Sequence, residues 1–387
     1  MKAQQRFRIA AILVVFVTII AFPLINDNFH LVKDIRSSEN RKMAVKPELK
    51  VTSLDSFPQK YEQYYNDAFP LRATMVRNYN SFKLGVFKQS PLPEQVIIGD
   101  QGWLYNAGDE DMIFKNTQPL TEQQLMAFKL ELEFRTAYLK KMGIRYYLLI
   151  APVKAAIYPE YTPNNKFRPS QKSWGEQLIQ YLQKNSKVKS IDVYKPLRAS
   201  KDKGLMYYKL DNHWTQLGAF YATNEVLRVI HENEAAVTPL AIDSFKVSIS
   251  KRKGGNLVKL LAEVDLYTDE FSVVEPHAGF RSQEAAEVGY PIPKGFSYTK
   301  DYEVVREIKG SSNPRLLLIS DSFGGPFFPF LSERFSRSVK IFDAWKYMLN
   351  EEIVKAEKPD VVILMVHEAR LLRMLDQQSR LKAIRQN

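Results

Sequence analysis

The sequence has no cysteine among its 387 residues and only five histidines. The lack of cysteine excludes disulfide bonds, thiolate nucleophiles and cysteine-based zinc sites, and it fits an oxidising compartment. No pair of histidines has the spacing of a helical metal-binding motif, so we expect no metal site. Helix-turn-helix, zinc-finger and RNA-recognition signatures are also missing, which argues against a nucleic-acid partner.

The residues that are present indicate a folded, basic protein. Apolar residues make up 45% of the chain and charged residues 25%, which is typical of a globular protein. The net charge of +12 is compatible with attraction to a polyanion, such as an acidic polysaccharide or a membrane surface, and equally with a generally basic surface. The length allows one large domain or two ordinary ones.

The N-terminus has the pattern of a membrane anchor. Lys2, Arg6 and Arg8 precede an apolar run over residues 9–25, and no small-residue cleavage site follows it. We interpret residues 1–25 as a cytoplasmic flank and an uncleaved signal-anchor helix, with a cleaved signal peptide as the alternative. The basic flank then stays in the cytoplasm, so the chain is anchored in the inner membrane with its folded part in the periplasm.

Strand and helix patterns alternate along most of the remaining chain. We interpret residues 26–60 as a linker and 61–387 as one domain with an irregular insertion at 236–310, which includes a β-prone stretch at residues 271–274. The predicted strands cover residues 145–150, 190–194, 315–320, 338–342 and 361–366. The predicted helices cover residues 121–141, 173–185, 215–232 and 369–384. This alternation predicts an α/β fold with a mostly parallel sheet flanked by helices.

An acid and an imidazole lie two residues apart just before a predicted helix start at Thr215. Asp211 and His213 follow an extended run over residues 207–210. In an extended segment, residues i and i+2 point to the same side. Asp211 can therefore orient the His213 ring while the ring acts as a general base.

A candidate nucleophile follows the predicted strand 315–320. Ligands of open α/β sheets bind beyond the carboxyl ends of the strands, which is where Ser322 lies. Gly324 and Gly325 let the backbone approach a substrate, and the amides that follow Ser322 could bind an oxyanion. Two alternatives remain open: Ser322 is also a candidate helix cap, and His367 is a second candidate base at the end of another strand.

These two blocks resemble those of the AlgJ/AlgX-like and DHHW-type proteins, which are SGNH-hydrolase-like polysaccharide O-acetyltransferases outside the cytoplasm. Asp211-Asn212-His213-Trp214 resembles the D-x-H-W segment of that family, and Ser320-Asp321-Ser322-Phe323 resembles its G-D-S-F nucleophile block. Further similar segments occur in the family's order along most of the chain, at residues 39–41, 66–72, 99–105, 152–154, 157–159 and 359–362.

The resemblance implies an SGNH-hydrolase-like (flavodoxin-like) sheet in which Ser322 is the nucleophile, His213 the base and Asp211 its orienter. We assign six further residues to substrate binding: Lys154, Tyr208, Trp214, Gly324, Glu368 and Arg370. The implied acceptor is an extracytoplasmic polysaccharide. No cofactor is expected, because a partner or a small acetyl ester supplies the acetyl group, and the implied partner is a membrane acyltransferase of the MBOAT type.

Two departures from the family pattern keep other functions open. Ser320 stands where the family usually has Gly, so a side chain crowds the turn before Ser322. Ala369 follows Glu368 where the family usually has Arg, and Arg370 is then the displaced arginine. The alternatives are a carbohydrate esterase with the same three residues, since water and a sugar hydroxyl need the same base, and a non-catalytic glycan-binding or assembly protein.

Overall fold

The computed structural model describes residues 2–32, 43–108, 110, 118–163, 172–261, 267–343 and 346–376. The chain divides into two compact units. The first comprises Met1–Val96 with Lys253–Tyr267, and the second comprises Ile97–Arg252 with Thr268–Asn387. The predicted boundaries of anchor, linker and domain stay predictions. The resembling segment 39–41 and residues 377–384 of the predicted closing helix lie outside the described residues.

The first unit is helical in its described part. Its helices are Lys2–Phe29, Phe57–Ala68, Arg72–Phe82 and Asn256–Leu260. Within the first of them, Gln4–Phe29 is long and apolar enough to cross a membrane, with a mean hydropathy of 2.7 and few of its residues buried. This helix coincides with the predicted anchor.

The second unit is built on a sheet. The strands of the described chain are β1 Val96–Ile98, β2 Leu104–Asn106, β3 Arg145–Ala151, β4 Lys189–Ile191, β5 Phe245–Lys253, β6 Thr268–Pro276, β7 Gln283–Glu284, β8 Glu303–Glu307, β9 Arg315–Ser320, β10 Arg337–Phe342 and β11 Val361–His367. Seven of them form one sheet in the order β4-β3-β11-β9-β10-β8-β7. The five strands β4, β3, β11, β9 and β10 run parallel to one another. At one edge of the sheet, β8 pairs antiparallel with β10, and β7 pairs antiparallel with β8.

Helices flank this sheet, and they confirm the predicted α/β class. They are Glu122–Lys141, Lys154–Ile157, Trp174–Asn185, Tyr194–Ala199, Gln216–His231, Gly324–Ser332, Glu351–Glu357 and Arg373–Asp376. The central strands are continuous apolar runs because both of their faces are covered, and all seven residues of β11 are buried. A capping box begins the helix predicted from residue 121, with the Gln124 amide donating to Thr121 Oγ1 over 3.2 Å.

Two sequence predictions of local structure are wrong in part. The strand predicted at residues 190–194 ends at Ile191, because the Asp192 side chain accepts from the Tyr194 amide over 2.9 Å and a helix begins there. The region predicted as irregular, residues 236–310, contains the paired strands β5 and β6 as well as β7 and β8. Strand β5 alternates apolar and polar residues from Phe245 to Ser250, but its apolar residues Val247 and Ile249 are exposed rather than packed in the core.

The order of the parallel strands places the candidate residues at one edge of the sheet. Parallel strands have their carboxyl ends on the same side, and here β3, β9 and β11 are neighbours. Ala151 at the end of β3 pairs with His367 at the end of β11. The segments that follow these strands therefore meet at the edge where an α/β sheet binds its ligands.

Candidate active site

The Asp-x-His pair lies on a tight loop rather than on the predicted extended run. An isolated antiparallel bridge joins Tyr207 to Trp214 and closes the loop. Within the loop, the Asp211 carboxylate accepts from the His213 amide over 3.0 Å, which is the geometry of an Asx turn. Because of this turn, Nδ1 of the His213 ring lies 2.7 Å from the same Asp211 oxygen. The side chains meet as predicted, but a turn brings them together.

The other ring nitrogen reaches the candidate nucleophile. Nε2 of His213 lies 2.8 Å from Oγ of Ser322. Asp211 is buried, His213 is half-buried and Ser322 is exposed. An acid, an imidazole and an exposed hydroxyl in one hydrogen-bonded chain are what general-base activation of a nucleophile needs. The structure thus brings Ser322, His213 and Asp211 together, while their catalytic roles stay a prediction.

Arg252 binds the second oxygen of Asp211, and the sequence analysis missed it. Its guanidinium donates to Asp211 Oδ2 over 3.0 Å and lies 3.7 Å above the ring of the half-buried Tyr208. Burial by itself raises the pKa of Asp211, but hydrogen bonds and charge from His213, together with the Arg252 charge, hold that pKa well below its usual range. Arg252 lies on β5, and no local pattern connects it to Asp211.

Lys154 holds the loop from inside the protein. The side chain is fully buried, and its ammonium donates to the carbonyls of Tyr208, Lys209 and Asp211 over 3.2, 3.1 and 2.9 Å. Burial lowers the pKa of Lys154 to about 8. The predicted substrate contact is therefore corrected, because Lys154 satisfies backbone carbonyls of the loop instead of facing a ligand.

Trp214 joins the histidine loop to the serine segment. The indole is fully buried, donates from Nε1 to the Phe323 carbonyl over 3.0 Å, and stacks on Phe327. This bond fixes the residue after His213 to the residue after Ser322. Trp214 is therefore a positioning residue, and its burial corrects the predicted substrate contact.

Asp321 organises the turn that presents Ser322. Its Oδ1 accepts from the Phe323 amide over 2.9 Å, and its Oδ2 accepts from the His367 amide over 2.7 Å and the Tyr347 hydroxyl over 2.9 Å. Burial raises the pKa of Asp321. The helix after the turn is Gly324–Ser332, and its cap residue is Phe323. Ser322 is thus not the helix cap, and its hydroxyl contacts His213 instead.

The amides that follow Ser322 are used inside the turn. Those of Gly324 and Gly325 donate to the carbonyls of Asp321 and Ser322 over 3.1 and 3.2 Å, and the Phe323 amide is held by the Asp321 carboxylate. The predicted oxyanion role of this segment is therefore not supported by its hydrogen bonding.

Gly324 is required by packing. A Cβ atom at this position would lie 2.2 Å from Oγ of the buried Ser320 and 2.8 Å from its Cβ. Within the described part of the chain, that hydroxyl has no hydrogen-bond partner. The Ser320 side chain thus fits because Gly324 has no side chain. Gly324 is buried against Ser320 rather than open to a substrate.

Glu368 links the end of β11 to the segment after β3 and to the start of helix Trp174–Asn185. The carboxylate is fully buried and accepts from the Val153 amide over 3.0 Å and from the Gly175 amide over 2.7 Å. Its pKa is raised by burial. The predicted substrate contact of Glu368 is corrected for this reason. Tyr208 and Arg370 are half-buried, and their contact with substrate stays a prediction.

His367, the alternative base, faces the interior. Its ring stacks on the ring of Phe323, with centroids 4.5 Å apart. The Phe323 ring also contacts the His213 ring, with centroids 4.9 Å apart. Burial, together with the nearby His213 and Arg370, lowers the pKa of His367 to about 3. The structure places His213, and not His367, against the Ser322 hydroxyl.

Two curated proteins similar to this chain carry the same name. The protein "Probable alginate O-acetylase AlgJ" of Pseudomonas syringae pv. tomato is 27% identical over 165 residues, which are 43% of this chain and 40% of that protein. Its namesake in Pseudomonas aeruginosa is 23% identical over 266 residues, 68% of this chain and 63% of that protein. This chain therefore spans less than two thirds of the length of both relatives.

A solved structure shares the fold, and a family model matches the sheet-bearing region. The structure of Bacillus cereus PatB1 superposes with a TM-score of 0.52 at 16% identity and covers 71% of this chain and 96% of that chain. The model of the family "SGNH hydrolase-like domain, acetyltransferase AlgX" matches residues 96–364. Since this match covers well over half of the chain, the protein belongs to the AlgX family of SGNH hydrolase-like acetyltransferase domains.

Proposed function

We propose that this chain is a polysaccharide O-acetyltransferase that carries the acetyl group on Ser322. Membership of the family and the two relatives named as alginate O-acetylases support the reaction class. The observation that carries the proposal is the continuous contact from Asp211 through His213 to Ser322, over 2.7 and 2.8 Å. Such a chain activates a hydroxyl for acyl transfer.

The first half-reaction loads the enzyme. The His213 ring takes the proton from Ser322 Oγ while that oxygen attacks the acetyl carbonyl of the donor. The bond between the acetyl carbon and the donor oxygen then breaks, and the leaving oxygen receives the proton from His213. Asp211 stays ionised, because its pKa is held low, and it stabilises the imidazolium formed in between.

The second half-reaction transfers the acetyl group. A sugar hydroxyl gives its proton to His213 and attacks the acetyl ester on Ser322, whose oxygen leaves and regains a proton. Ser322 is exposed, so a polymer chain can reach it. Water in place of the sugar hydroxyl would give the esterase reaction through the same residues, so transfer requires that the acceptor displaces water.

The setting that we propose is the outer face of the inner membrane. The anchor-like helix and the basic net charge support a membrane-tethered enzyme acting on an extracytoplasmic, anionic polysaccharide. We propose that a membrane acyltransferase of the MBOAT type, or a small acetyl ester, supplies the acetyl group, and that no cofactor is used.

The reaction class is tested by following the acetyl group. The full chain is incubated with an activated acetyl ester, with and without acetylatable oligosaccharides, and acetyl-protein, acetate and acetyl-oligosaccharide are quantified by mass spectrometry. We expect acetyl on the peptide that contains Ser322, and its transfer to oligosaccharide on addition of acceptor. Acetate as the main product at saturating acceptor would favour the esterase. Failure of a sulfonyl fluoride to label Ser322, together with no turnover, would favour the non-catalytic alternative.

A further inference from the structure

An exposed apolar stripe runs along one helix of the first unit. It consists of Met75, Tyr79, Phe82 and Val86, which are 52%, 56%, 55% and 62% exposed. The first three lie on helix Arg72–Phe82, and Val86 lies on the π-helical turn Lys83–Phe87 that continues it. Spacings of four, three and four residues place these side chains on one face. A contiguous exposed apolar surface of this kind marks an interaction site.

The opposite face of the helix is already packed within the unit. Asn80 is buried, and its side-chain amide donates to the Leu261 carbonyl over 2.8 Å. The helix is thereby held with the stripe pointing outward. The apolar stripe is therefore not the face by which the helix joins its own unit.

The charged residues of the segment that carries the stripe have one sign. Residues 72–88 contain Arg72, Arg77, Lys83 and Lys88 and no Asp or Glu. The Lys83 ammonium lies 5.5 Å from the centre of the Tyr79 ring, next to the stripe. An apolar face with Tyr and Phe, bordered by cationic side chains, is typical of helices that lie in the interface of a membrane with anionic headgroups.

The same unit contains the membrane-spanning candidate. Gln4–Phe29 belongs to this unit, and its apolar side chains are mostly exposed. A surface tethered to a membrane-embedded helix meets lipid at a high effective concentration, so even a short apolar stripe suffices for binding. We propose that the stripe of Met75, Tyr79, Phe82 and Val86 docks on the lipid headgroup region, giving the chain a second membrane contact besides its anchor.

The lack of cysteine permits a direct test of this contact. The variant Phe82→Cys of the full chain is labelled with an environment-sensitive fluorophore and reconstituted in nanodiscs that contain phosphatidylglycerol. The matched control is Met126→Cys, another exposed apolar position, on a helix of the second unit. We expect a blue-shifted label at 82, quenched by spin-labelled lipid, and about threefold less sensitive to iodide than the label at 126.

The cationic border supplies a second readout. Lys83→Gln with Lys88→Gln should raise iodide access to the label at 82 and remove its dependence on salt, because headgroup attraction is lost. Equal iodide quenching at 82 and 126, without quenching by spin-labelled lipid, overturns the proposal. So does shielding at 82 that persists in detergent and depends on protein concentration, because a second copy would then cover the stripe. Unchanged thermal unfolding verifies that the labelled variants fold.

Discussion

Asp211 shares its two carboxylate oxygens between His213 and Arg252. The imidazole sits on one oxygen and a guanidinium sits on the other, so the acid is oriented from both sides. The cation offsets part of the negative charge that would otherwise stabilise a protonated ring. At the scale of single residues, the site is therefore a chain of four side chains, of which the sequence pattern shows three.

Replacing the proposed nucleophile or base should remove activity without unfolding the protein. Ser322→Ala should abolish acetyl transfer and change the free energy of unfolding by less than about 0.5 kcal/mol, because the side chain is exposed. His213→Ala should lower kcat by about three orders of magnitude or more. Steady-state kinetics and urea unfolding measure both. Near-normal turnover of His213→Ala would show that the base is another residue.

Removing the Arg252 charge should move the pH profile of the reaction. In Arg252→Met, the acid limb of the kcat/KM profile should shift to higher pH by about half a unit or more, because a nearby cation no longer repels the proton shared by Asp211 and His213. Lys251→Met is the matched control, since Lys251 is exposed on the same strand and pairs with Glu270. An Arg252 variant with reduced kcat and an unmoved profile would indicate a structural role alone.

At the scale of elements, the site depends on how two loops are held against each other. Lys154, which follows the end of β3, holds the Asp211 loop by a hydrogen bond to the Asp211 carbonyl. Trp214 connects that loop to the segment after β9 by a hydrogen bond to the Phe323 carbonyl. Asp321 then ties the same segment to the end of β11. Three neighbouring parallel strands thus fix one hydroxyl and one ring within hydrogen-bond distance. Such support is what gives a site its geometry before substrate arrives.

The turn that carries Ser322 offers a test by paired substitution. Gly324→Ala should destabilise the fold by about 1–3 kcal/mol, because the new Cβ collides with Ser320. Gly325→Ala is the control, since a Cβ there meets nothing within 4 Å. Ser320→Gly combined with Gly324→Ala should recover most of the lost stability in urea unfolding. A double variant as unstable as Gly324→Ala would contradict the steric explanation.

At the scale of the whole molecule, buried titratable groups couple stability to pH. His367 has its pKa lowered to about 3 from 6.5, so the unfolded chain binds a proton that the folded chain excludes. The contribution of His367 to the free energy of unfolding is present above pH 6.5 and is lost as the pH falls toward 3. Asp343 acts in the opposite direction, because burial raises its pKa to about 7 and the folded chain then binds the extra proton.

Comparing wild type with His367→Gln isolates the contribution of His367 to stability. From pH 7 to pH 5, wild type should lose about 2 kcal/mol of stability relative to His367→Gln, which lacks the titrating ring. Urea unfolding of both proteins at each pH measures the difference, and contributions from Asp343 cancel in it. Parallel stability curves for the two proteins would show that His367 titrates normally in the fold.

The predicted elements that matched the structure are those with strong local signals. Helix Glu122–Lys141 has its capping box, and β9 and β11 are continuous apolar runs at the predicted positions. The strand β5 was not predicted, although its apolar residues Phe245, Val247 and Ile249 alternate with polar ones, and β6 was indicated only by the β-prone stretch at residues 271–274. Lys154, Trp214, Gly324 and Glu368 were assigned to substrate contact, but the structure buries all four, since residue type does not reveal how deep a residue lies.

The sequence by itself determined the alternation of strands and helices, the apolar N-terminal helix and the pairing of Asp211 with His213. Each of these depends on residues a few positions apart, through hydrophobic period, capping and an Asx turn. Only the tertiary structure decided that His213 rather than His367 meets Ser322, 109 residues away, and that Arg252 joins Asp211 from 41 residues away. Those contacts follow from the order of strands in the sheet, and that order is the result of packing the whole core.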